Sequence, residues 1–337
     1  MTGASNAATA AAALLAALED GAVQSAATLG RRLSLPPAAI TDTVASLRGY
    51  GVPIGTVRGR GYRLDAPLVR LHADAIGRAL PPERRAGLRS LTVQPIVGST
   101  NTDLLAAGAP PEGLADALIA EYQTGGRGRR GRTWRAPFGS SLLVSLGIAL
   151  GELRRDQSAL TLVVGVALLR ALAALGVHGA RLKWPNDVEI DGAKLAGVLT
   201  ELRAVGTGGA HVVIGIGLNL ALPDAAVAEL AAAGRRVTDL SRVGRPCDAP
   251  ARAALAARVI DEVLGAVALF SERGFAPFAA EWRANDGLID RPVLVESTTR
   301  RRLGVARGAA PDGALLVDFD DGRERVDAAD VSLRVAS

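Results

Sequence analysis

The sequence predicts an α+β protein of three consecutive parts: a winged helix-turn-helix, a larger α+β domain and a small β-barrel. Three short helical segments followed by a basic, glycine-rich hairpin predict the first part. Apolar strands around one long apolar helix predict the second, and strand-like runs separated by Asp-Gly turns predict the third. The chain has 337 residues, of which 49% are hydrophobic and 22% charged, so it is long enough for several cores.

The N-terminal part is expected to span residues 1–65, with helices at 10–18, 25–33 and 37–49. In the third helix Ile40, Val44 and Leu47 recur on one face. Residues 54–64 contain two β-prone pieces around a basic turn, which predicts a hairpin or wing. Three helices plus a wing indicate a winged helix-turn-helix, and residues 65–67 (Asp-Ala-Pro) form the expected linker.

The rest of the chain divides into a central part, expected over 66–284, and a C-terminal part, expected over 285–337. Central strands are predicted at 117–121, 141–148, 198–202 and 212–217, with a helix starting near Asp103 and a long apolar helix at about 159–175. C-terminal strands are predicted at 293–296, 302–306, 314–319 and 323–326, with Asp-Gly turns between them. These patterns predict an α+β domain followed by a small all-β barrel.

Composition excludes several classes of protein. One cysteine excludes an internal disulfide framework, and three scattered histidines offer no metal-ligand cluster. The net charge of +5 allows nucleic acid or an anionic substrate as a partner without requiring either. The N-terminus lacks the basic region of a signal peptide, and no run approaches the ~18 uninterrupted apolar residues of a membrane span. We therefore expect a cytoplasmic protein that does not bind a membrane.

Lysine is rare and clustered in this chain. Of 39 basic side chains only two are lysines, Lys183 and Lys194, and the others are arginines. An ammonium on a flexible stem can follow a reacting oxyanion in a way that a planar guanidinium cannot. Chance placement is the alternative, but the neighbouring motifs make two cations at one reacting site the better interpretation.

A loop at residues 123–134 carries four arginines and four glycines within eight residues. Glycines let backbone amides approach a ligand and arginines offer paired donors, so a phosphate or carboxylate is the expected guest. Gly126, Gly128 and Gly131 match the dinucleotide-binding spacing, but the following residues do not open a helix, so we reject that fingerprint. A solvated surface loop and a basic patch for nucleic acid are the alternatives for this segment.

Three of the five asparagines lie in the other motifs. Asn186 and Asp187 follow the first lysine, where turn formation and ligand binding are equally good explanations. Ser99, Thr100 and Asn101 precede a helix, so one of them is expected to cap it, and capping is compatible with ligand binding. Asn219 ends an apolar strand that contains two glycines, where close backbone packing is the alternative to a hydrogen bond with a base or ribose.

Taken in order, these motifs resemble those of the biotin-protein ligase family, in particular its bifunctional bacterial type that is also a biotin operon repressor. The motifs are residues 98–101 (Gly-Ser-Thr-Asn), the 121–132 segment with its Arg-Gly run, 183–187 (Lys-Trp-Pro-Asn-Asp), 194–197 (Lys-Leu-Ala-Gly) and 215–219 (Gly-Ile-Gly-Leu-Asn). The resemblance spans nearly the whole chain, and the combination is far more specific than any one motif. It implies a central mixed-sheet domain like that of biotin and lipoate ligases and an SH3-like C-terminal barrel.

The resemblance implies that biotin and ATP, with Mg²⁺, form biotinyl-5'-AMP, and that biotin then passes to a lysine of a biotin carboxyl carrier protein of the acetyl-CoA carboxylase type. It implies catalytic roles for Lys194, Lys183 and Arg129, a position near Mg²⁺ for Asp187 and one near adenine for Trp134. The residues that it implies for binding biotin or nucleotide are Ser99, Thr100, Asn101, Gln123, Gly126, Arg127, Gly128, Arg129, Arg132, Trp134, Asn186, Lys194 and Asn219.

The resemblance also implies that residues 1–65 bind a DNA operator and that the adenylate-bound protein is a homodimer. Residues 36–44 depart from the family's usual recognition helix, because they offer no Arg or Lys to base edges and place Asp42 near DNA phosphates. We therefore expect any DNA binding to be weak or altered. The side chains that still offer phosphate contacts are Arg31, Arg32, Arg58, Arg60 and Arg63.

Three other functions remain as alternatives. A lipoate-protein ligase shares the central fold but has a different signature at the Arg-Gly loop. A ligand-sensing transcription factor would bind biotin or a nucleotide without turnover, which the wing favours and the two lysines oppose. A basic structural module for nucleic acid leaves the clustering of Lys, Asn and Trp unexplained. The identity of the carrier protein and of the operator depends on surfaces without motifs.

Overall fold

The computed structural model describes the backbone of residues 2–151, 154, 156–206, 209–297, 300–328 and 332–335, and their side chains except those of 2–7 and 332–335.

The N-terminal unit contains three helices and a two-stranded hairpin. The helices are α1 (Thr2–Leu18), α2 (Ala26–Leu33) and α3 (Pro37–Gly49), and β1 (Ile54–Val57) pairs antiparallel with β2 (Gly61–Leu64). The predicted face of α3, with Ile40, Val44 and Leu47, is buried against α1 and α2. Ser25 caps α2 by accepting a hydrogen bond from the Thr28 amide. Helix α1 begins eight residues earlier than predicted, because its alanine-rich start has high helix propensity.

A seven-stranded mixed sheet forms the centre of the molecule, in the order β3-β4-β5-β9-β8-β7-β6. Strands β3 and β4 are parallel, and every other neighbouring pair is antiparallel. The strands are β3 (Leu88–Val97), β4 (Ala115–Gln123), β5 (Ser141–Leu150), β6 (Arg181–Lys183), β7 (Asp187–Ile190), β8 (Ala193–Val205) and β9 (Gly209–Asn219).

Helices cover both faces of this sheet. On one face α7 (Leu160–Ala174) packs on α9 (Ala249–Arg273), and apolar side chains such as Ile119, Val144 and Ile214 complete the main core. On the other face α6 (Thr100–Ala107) brings Leu104 onto Leu118 and Val213. The helices of this part are α4 (Ala73–Ala79), α5 (Pro82–Ala86), α6 (Thr100–Ala107), α7 (Leu160–Ala174), α8 (Asp224–Ala232), α9 (Ala249–Arg273) and α10 (Ala276–Ala284).

The C-terminal unit is a five-stranded antiparallel sheet in the order β13-β12-β11-β10-β14. Its strands are β10 (Pro292–Glu296), β11 (Arg301–Ala309), β12 (Leu315–Phe319), β13 (Gly322–Val326) and β14 (Ser332–Val335). It rests on the central unit through the carbonyl of Gly313, which accepts a hydrogen bond from Trp184 Nε1 at 3.0 Å. The predicted strands and Asp-Gly turns are confirmed, and β14 was not predicted.

The segment that follows the predicted linker is held by a buried ion pair. Glu121 on β4 accepts a hydrogen bond from the Leu71 amide at 2.5 Å and pairs with Arg252 of α9. Arg252 also donates to the Val69 carbonyl. The backbone at residues 69–71 is therefore fixed against the central sheet.

One helical stretch in the described part of the chain, Gln157–Ala174, is apolar and long enough to cross a membrane by length and composition, and 67% of it is buried inside the fold. Its apolarity matches the position of α7 in the main core. A core helix of this kind and a membrane span have similar composition, so the stretch is weak evidence for a span.

Candidate active site

The motif residues meet on the face of the central sheet that carries α6. Alternate residues of a strand point to the same face, so register partners on neighbouring strands form rows of side chains across the sheet. In one row Ser145, Gly215 and Leu199 are partners on β5, β9 and β8. In the next row Gly197 and Gly217 are partners. Three of these five row residues are glycines.

Asn101, from the first turn of α6, lies over the first row. A Cβ atom on Gly215 would be 2.2 Å from Oδ1 of Asn101, so the approach of α6 requires glycine there. Asn101 Nδ2 donates to the Leu199 carbonyl at 3.2 Å and to Oε2 of Glu201 at 2.8 Å. Oδ1 lies 2.6 Å from the Ser145 hydroxyl. The buried amide therefore has one defined orientation.

The two residues before Asn101 have different roles. Ser99 is the N-cap of α6, with its side chain accepting from the Thr102 amide, so the helix begins at Thr100 and the predicted start near Asp103 was wrong by about one turn. The amide and hydroxyl of Thr100 both donate to Oε1 of Gln123, at 2.8 and 3.1 Å. Because Oε1 accepts, the amide nitrogen is the donor side of Gln123.

The Arg-Gly loop folds back on itself. Arg127 and Thr133 form an antiparallel bridge, and the Trp134 amide donates to the Gly126 carbonyl at 3.0 Å. A Cβ atom on Gly126 would be 2.5 Å from the Trp134 carbonyl oxygen, which explains the glycine. A single 3-10 turn at 129–131 interrupts the loop, and no helix follows it up to Ser140. The rejection of a dinucleotide-binding turn is thereby confirmed.

Trp134 covers the second row of the sheet. A Cβ atom on Gly217 would be 2.6 Å from Cε2 of the indole, and one on Gly197 would be 3.2 Å from Cζ3. The Lys194 ammonium is 5.3 Å from the ring centre, within cation–π distance. Nε1 of the indole is buried and has no hydrogen-bond partner among the described residues. An unpaired buried donor costs about 1–3 kcal/mol, so an acceptor at this edge would be favourable.

Both lysines pair with carboxylates of the short strand β7. Lys194 Nζ donates to Oδ1 of Asp187 at 2.6 Å, and Lys183 Nζ donates to Oε1 of Glu189 at 2.6 Å. The two carboxylates are two residues apart on one strand and therefore share a face. The side chains of Lys183 and Lys194 are 25% and 30% exposed, so a substrate anion can reach them. The structure thus brings the two lysines to one edge of the sheet.

Two predicted ligand residues hold the backbone of the site. Asn186 Nδ2 donates to the Val198 carbonyl at 2.7 Å, and the Val198 amide donates back to Asn186 at 2.9 Å. Asn219 is buried, and its Nδ2 donates to the Thr238 carbonyl at 3.0 Å. Trp184, between the lysine and Asn186, packs in the core. In this state the turn and packing interpretations account for both asparagines.

Arg129 connects the Arg-Gly loop to the C-terminal unit. Its guanidinium donates to the Ala328 carbonyl and is half-buried, whereas Arg127 and Arg132 are more exposed. Burial lowers the pKa of Arg129, and Arg130 and Arg132 lower it further, while the Asp187 carboxylate opposes the change. An arginine in this setting remains charged. Arg129 therefore brings a fixed positive charge near Asp187 and Lys194.

Sequence reasoning missed Ser145 and Glu201. Ser145 is fully buried in the middle of an apolar strand, where a hydroxyl needs a partner. Glu201 follows Gly197 and Leu199 in alternation along β8, so it shares their face. Alternation within each predicted strand was the available signal, but Asn101, the partner of both residues, is 44 positions from Ser145 and 100 positions from Glu201 in the chain.

Two sequence models of protein families match the chain. The Biotin/lipoate A/B protein ligase family matches residues 98–219, and the Biotin protein ligase C terminal domain matches residues 288–334. The first match begins and ends on motif residues of the site just described. Fold and site therefore define the class of biotin and lipoate ligases.

Comparison with individual proteins places the chain more narrowly within this class. The Bifunctional ligase/repressor BirA of Salmonella typhimurium is 36% identical over 333 residues, covering 96% of this chain and 97% of the relative. The Escherichia coli K12 protein of that name is 37% identical over 308 residues, covering 91% and 92%. A solved structure of the biotin protein ligase from Aquifex aeolicus in complex with biotin and ATP aligns with a TM-score of 0.59 and 25% identity, covering 74% of this chain and 100% of that chain. The chain belongs to the biotin-protein ligase family.

Proposed function

We propose that this protein is an ATP-dependent biotin-protein ligase, which forms biotinyl-5'-AMP and transfers biotin to a lysine of a biotin carboxyl carrier protein. The observation that carries the proposal is the convergence of Asn101, Gln123, Trp134 and the Lys194–Asp187 pair on one sheet face. Relatives that align with more than nine-tenths of this chain are named as ligase/repressors, and a related structure holds biotin and ATP.

The first step joins two anions. A carboxylate oxygen of biotin attacks the α-phosphorus of ATP, the bond from that phosphorus to its bridging oxygen breaks, and pyrophosphate leaves. Lys194 releases Asp187 to contact the biotin carboxylate and then the adenylate phosphate, since its ammonium is flexible and partly exposed. Lys183 contacts the departing phosphates, and Arg129 adds a positive charge over them. Because these positive charges are already in position, they lower the activation barrier of adenylate formation and the site does not have to reorganise during the reaction.

Biotin binds where α6 meets the sheet. Its ureido ring needs both donors and acceptors, which Thr100, Asn101 and Gln123 supply together. Ser99 holds the helix start by capping, and the glycines and arginines at 126–132 close over the ligand. Adenine packs near Trp134. Asn186 and Asn219 keep the strand ends in place around the nucleotide.

The second step is acyl transfer. The carrier lysine amine attacks the acyl carbon, the bond from that carbon to the phosphate oxygen breaks, AMP leaves with the electron pair and the amine loses a proton. The mixed anhydride is reactive toward water between the two steps. The Arg-Gly loop, closed by its own bridge and by the Arg129 contact, keeps water away from it.

Mg²⁺ fits this arrangement as a companion of ATP. Groups of three or more potential metal ligands are absent from the described part of the chain, but Mg²⁺ is commonly held by one or two carboxylates together with substrate phosphates. Asp187 would hold it once Lys194 has moved to the substrate. When bound, the ion would neutralise phosphate charge, which assists the departure of pyrophosphate.

Biotin-dependent exchange of labelled pyrophosphate into ATP tests the proposal, with lipoate and octanoate as matched substrates. We expect exchange with biotin alone, followed by labelling of a carrier protein. Exchange with lipoate would instead favour the sister ligases. Binding of biotin without exchange would favour a sensor that does not turn over.

We also propose a second function, biotin-responsive DNA binding by the N-terminal unit. It is favoured by the three helices and hairpin, which we assign as a winged helix-turn-helix over 1–65, and by the repressor activity in the names of the relatives. The exposed arginines of α2 and the hairpin are available for phosphates, whereas Arg48 on α3 is tied to Ile54 and Thr56. The arginines proposed for phosphate contacts are Arg31, Arg32, Arg58, Arg60 and Arg63.

The remaining assignments complete this proposal. Residues 66–284 form the catalytic domain and 285–337 an SH3-like barrel, the adenylate-bound protein is a homodimer, and the protein acts in the cytoplasm. A gel shift with the promoters of biotin-synthesis genes, with and without biotin and ATP, tests the DNA function. A shift that needs both ligands supports it, and no shift at low salt would remove it.

A further inference from the structure

Glu201 on β8 receives two hydrogen bonds from different parts of the site. Its Oε2 accepts from Nδ2 of Asn101 at 2.8 Å and from the guanidinium of Arg127 at 2.6 Å. Asn101 belongs to the first turn of α6, and Arg127 belongs to the Arg-Gly loop. One carboxylate oxygen therefore links a helix, a strand and the loop.

The hydrogen bonds continue beyond Asn101 across the sheet. The Ser145 hydroxyl lies 2.6 Å from Oδ1 of Asn101 and 2.7 Å from Oγ1 of Thr100. Thr100 in turn donates to Gln123, the first residue of the loop. This chain of polar contacts begins at Arg127 and ends at Gln123. It therefore connects two residues of the Arg-Gly loop through side chains on the sheet face beneath the loop.

Glu201 and the Leu199 carbonyl together set which way the Asn101 amide points. Neither a carboxylate nor a carbonyl donates, so only the amide nitrogen of Asn101 can face them. Oδ1 is then directed toward Ser145, in the space that Gly215 leaves open. An amide at position 201 would also offer donors to Asn101 and Arg127, and only the longer contact with the Leu199 carbonyl, at 3.2 Å, would still select the orientation of Asn101.

The ion pair with Arg127 is not placed to stabilise the fold as a whole. The side chains of Arg127 and Glu201 are 43% and 23% exposed, and ion pairs in contact with solvent contribute little to global stability. Its effect is local, because it fixes a loop residue against a site residue. When the Arg127–Glu201 ion pair forms, the Arg-Gly loop closes and the Asn101 amide is held in place at the same time.

We propose that Glu201 is a positioning residue for biotin, which holds the Asn101 amide in its binding orientation and couples that orientation to closure of the Arg-Gly loop through Arg127. This inference rests on the proposed function, because it names a further residue for the same site. Glu201 acts through Asn101 and Arg127 and does not itself react.

The test compares Glu201→Gln with the wild-type protein by calorimetric binding of biotin and by pyrophosphate exchange. We expect the Kd and the KM for biotin to rise about tenfold or more, the range for losing hydrogen bonds to a charged group, while kcat and the KM for ATP change less than about twofold. Arg127→Ala should raise the biotin KM in the wild type but add little in the Glu201→Gln background, because both act through one contact.

Asp116→Asn is the matched control. Asp116 is a buried carboxylate of the same sheet, paired with Arg89 and Ser90 and outside the chain of polar contacts. Its loss should lower thermal stability without changing the biotin Kd. An unchanged biotin Kd in folded Glu201→Gln, or equal increases in the KM for biotin and ATP, would overturn the assignment. Wild-type protein that binds biotin without exchange would refute the ligase and still test Glu201, and absence of biotin binding would refute both.

Discussion

Gly217→Ala should weaken the binding of ATP by displacing Trp134. The added methyl would lie 2.6 Å from Cε2 and 2.7 Å from Cζ2 of the indole, whereas ordinary contact begins at 3.4 Å. The ring must therefore retreat by about 0.8 Å. Because the contacted atoms belong to a rigid ring and not to the end of a flexible chain, no small rotation relieves them.

The size of the effect follows from the cost of overpacking. Inserting a methyl group into a packed site costs about 1–3 kcal/mol. If the indole moves and the sheet does not, this energy appears as weaker nucleotide binding, a loss of about 5- to 150-fold. If the sheet yields, it appears as lower stability. The proximity of Lys194 to the same ring makes a loss of exchange rate part of the expected result.

Pyrophosphate exchange with separate titrations of ATP and biotin measures the outcome, and Gly215→Ala is its matched control. That substitution places a methyl 2.2 Å from Oδ1 of Asn101, so it should raise the KM for biotin instead. The two glycines are two residues apart on one strand, yet each should affect a different substrate. Two results would refute the proposed packing of Trp134 on Gly217. One is an equal rise in the KM for ATP and for biotin in both variants, and the other is an unchanged KM for ATP in Gly217→Ala of unchanged stability.

Three further perturbations have definite expected results. Lys194→Ala should slow adenylate formation by about 10²- to 10³-fold without unfolding the protein, and Lys194→Arg should not restore it, because guanidinium is not a mobile point charge. Asp286 is buried, its Oδ2 has no hydrogen-bond partner in the described part of the chain, and burial raises its pKa to about 6 from 3.8. Its contribution to stability is therefore full below about pH 4 and lost as the pH rises through about 6, so the advantage of Asp286→Asn in unfolding free energy should grow by about 2.4 kcal/mol between pH 4 and 7.5. Replacing Arg58 or Arg60 by Ala should reduce the slope of log affinity for DNA against log salt by about 0.9 each.

A separate measurement tests each of these three predictions. Circular dichroism should be near normal in Lys194→Ala, direct biotin binding should weaken because the ammonium contacts the biotin carboxylate, and a near-normal exchange rate would remove Lys194 from the reaction. Urea unfolding at both pH values measures Asp286→Asn, and a pH-independent difference would show that the carboxylate is not desolvated. For the hairpin arginines, an unchanged salt slope in gel shifts would mean that the wing does not contact phosphates.

Local sequence predicted those elements whose pattern is carried by neighbouring residues. Helix α3 was predicted at its observed bounds, because Pro37 opens it and its apolar positions repeat with helical spacing. The Asp191-Gly192 turn that leads to Lys194 has positive φ at both residues, as expected of a two-residue hairpin. Elements without such signals, such as β3 and the 25-residue α9, were not predicted.

In the site, too, some features were predictable from local sequence and others were not. Residue types alone indicated Lys183, Lys194, Asn101 and the Arg-Gly loop, since rare cations, amides and glycines at strand ends are chemically distinctive. Which partner each residue takes was open. The sequence allowed Asp187 as a turn residue or a metal ligand, and folding joined it to Lys194.

The sequence by itself determined the family, the order of the motifs and the set of side chains available for chemistry, because these are properties of residues near one another in the chain. Only the tertiary structure decided that Glu201 contacts Asn101 and that Arg129 contacts the C-terminal unit. It also decided that the Asn101 amide packs on Gly215 and the Trp134 indole on Gly217. The physical reason is register. Strand pairing sets which residues become neighbours across β5, β9 and β8, and that pairing depends on the burial of the whole sheet between its helices.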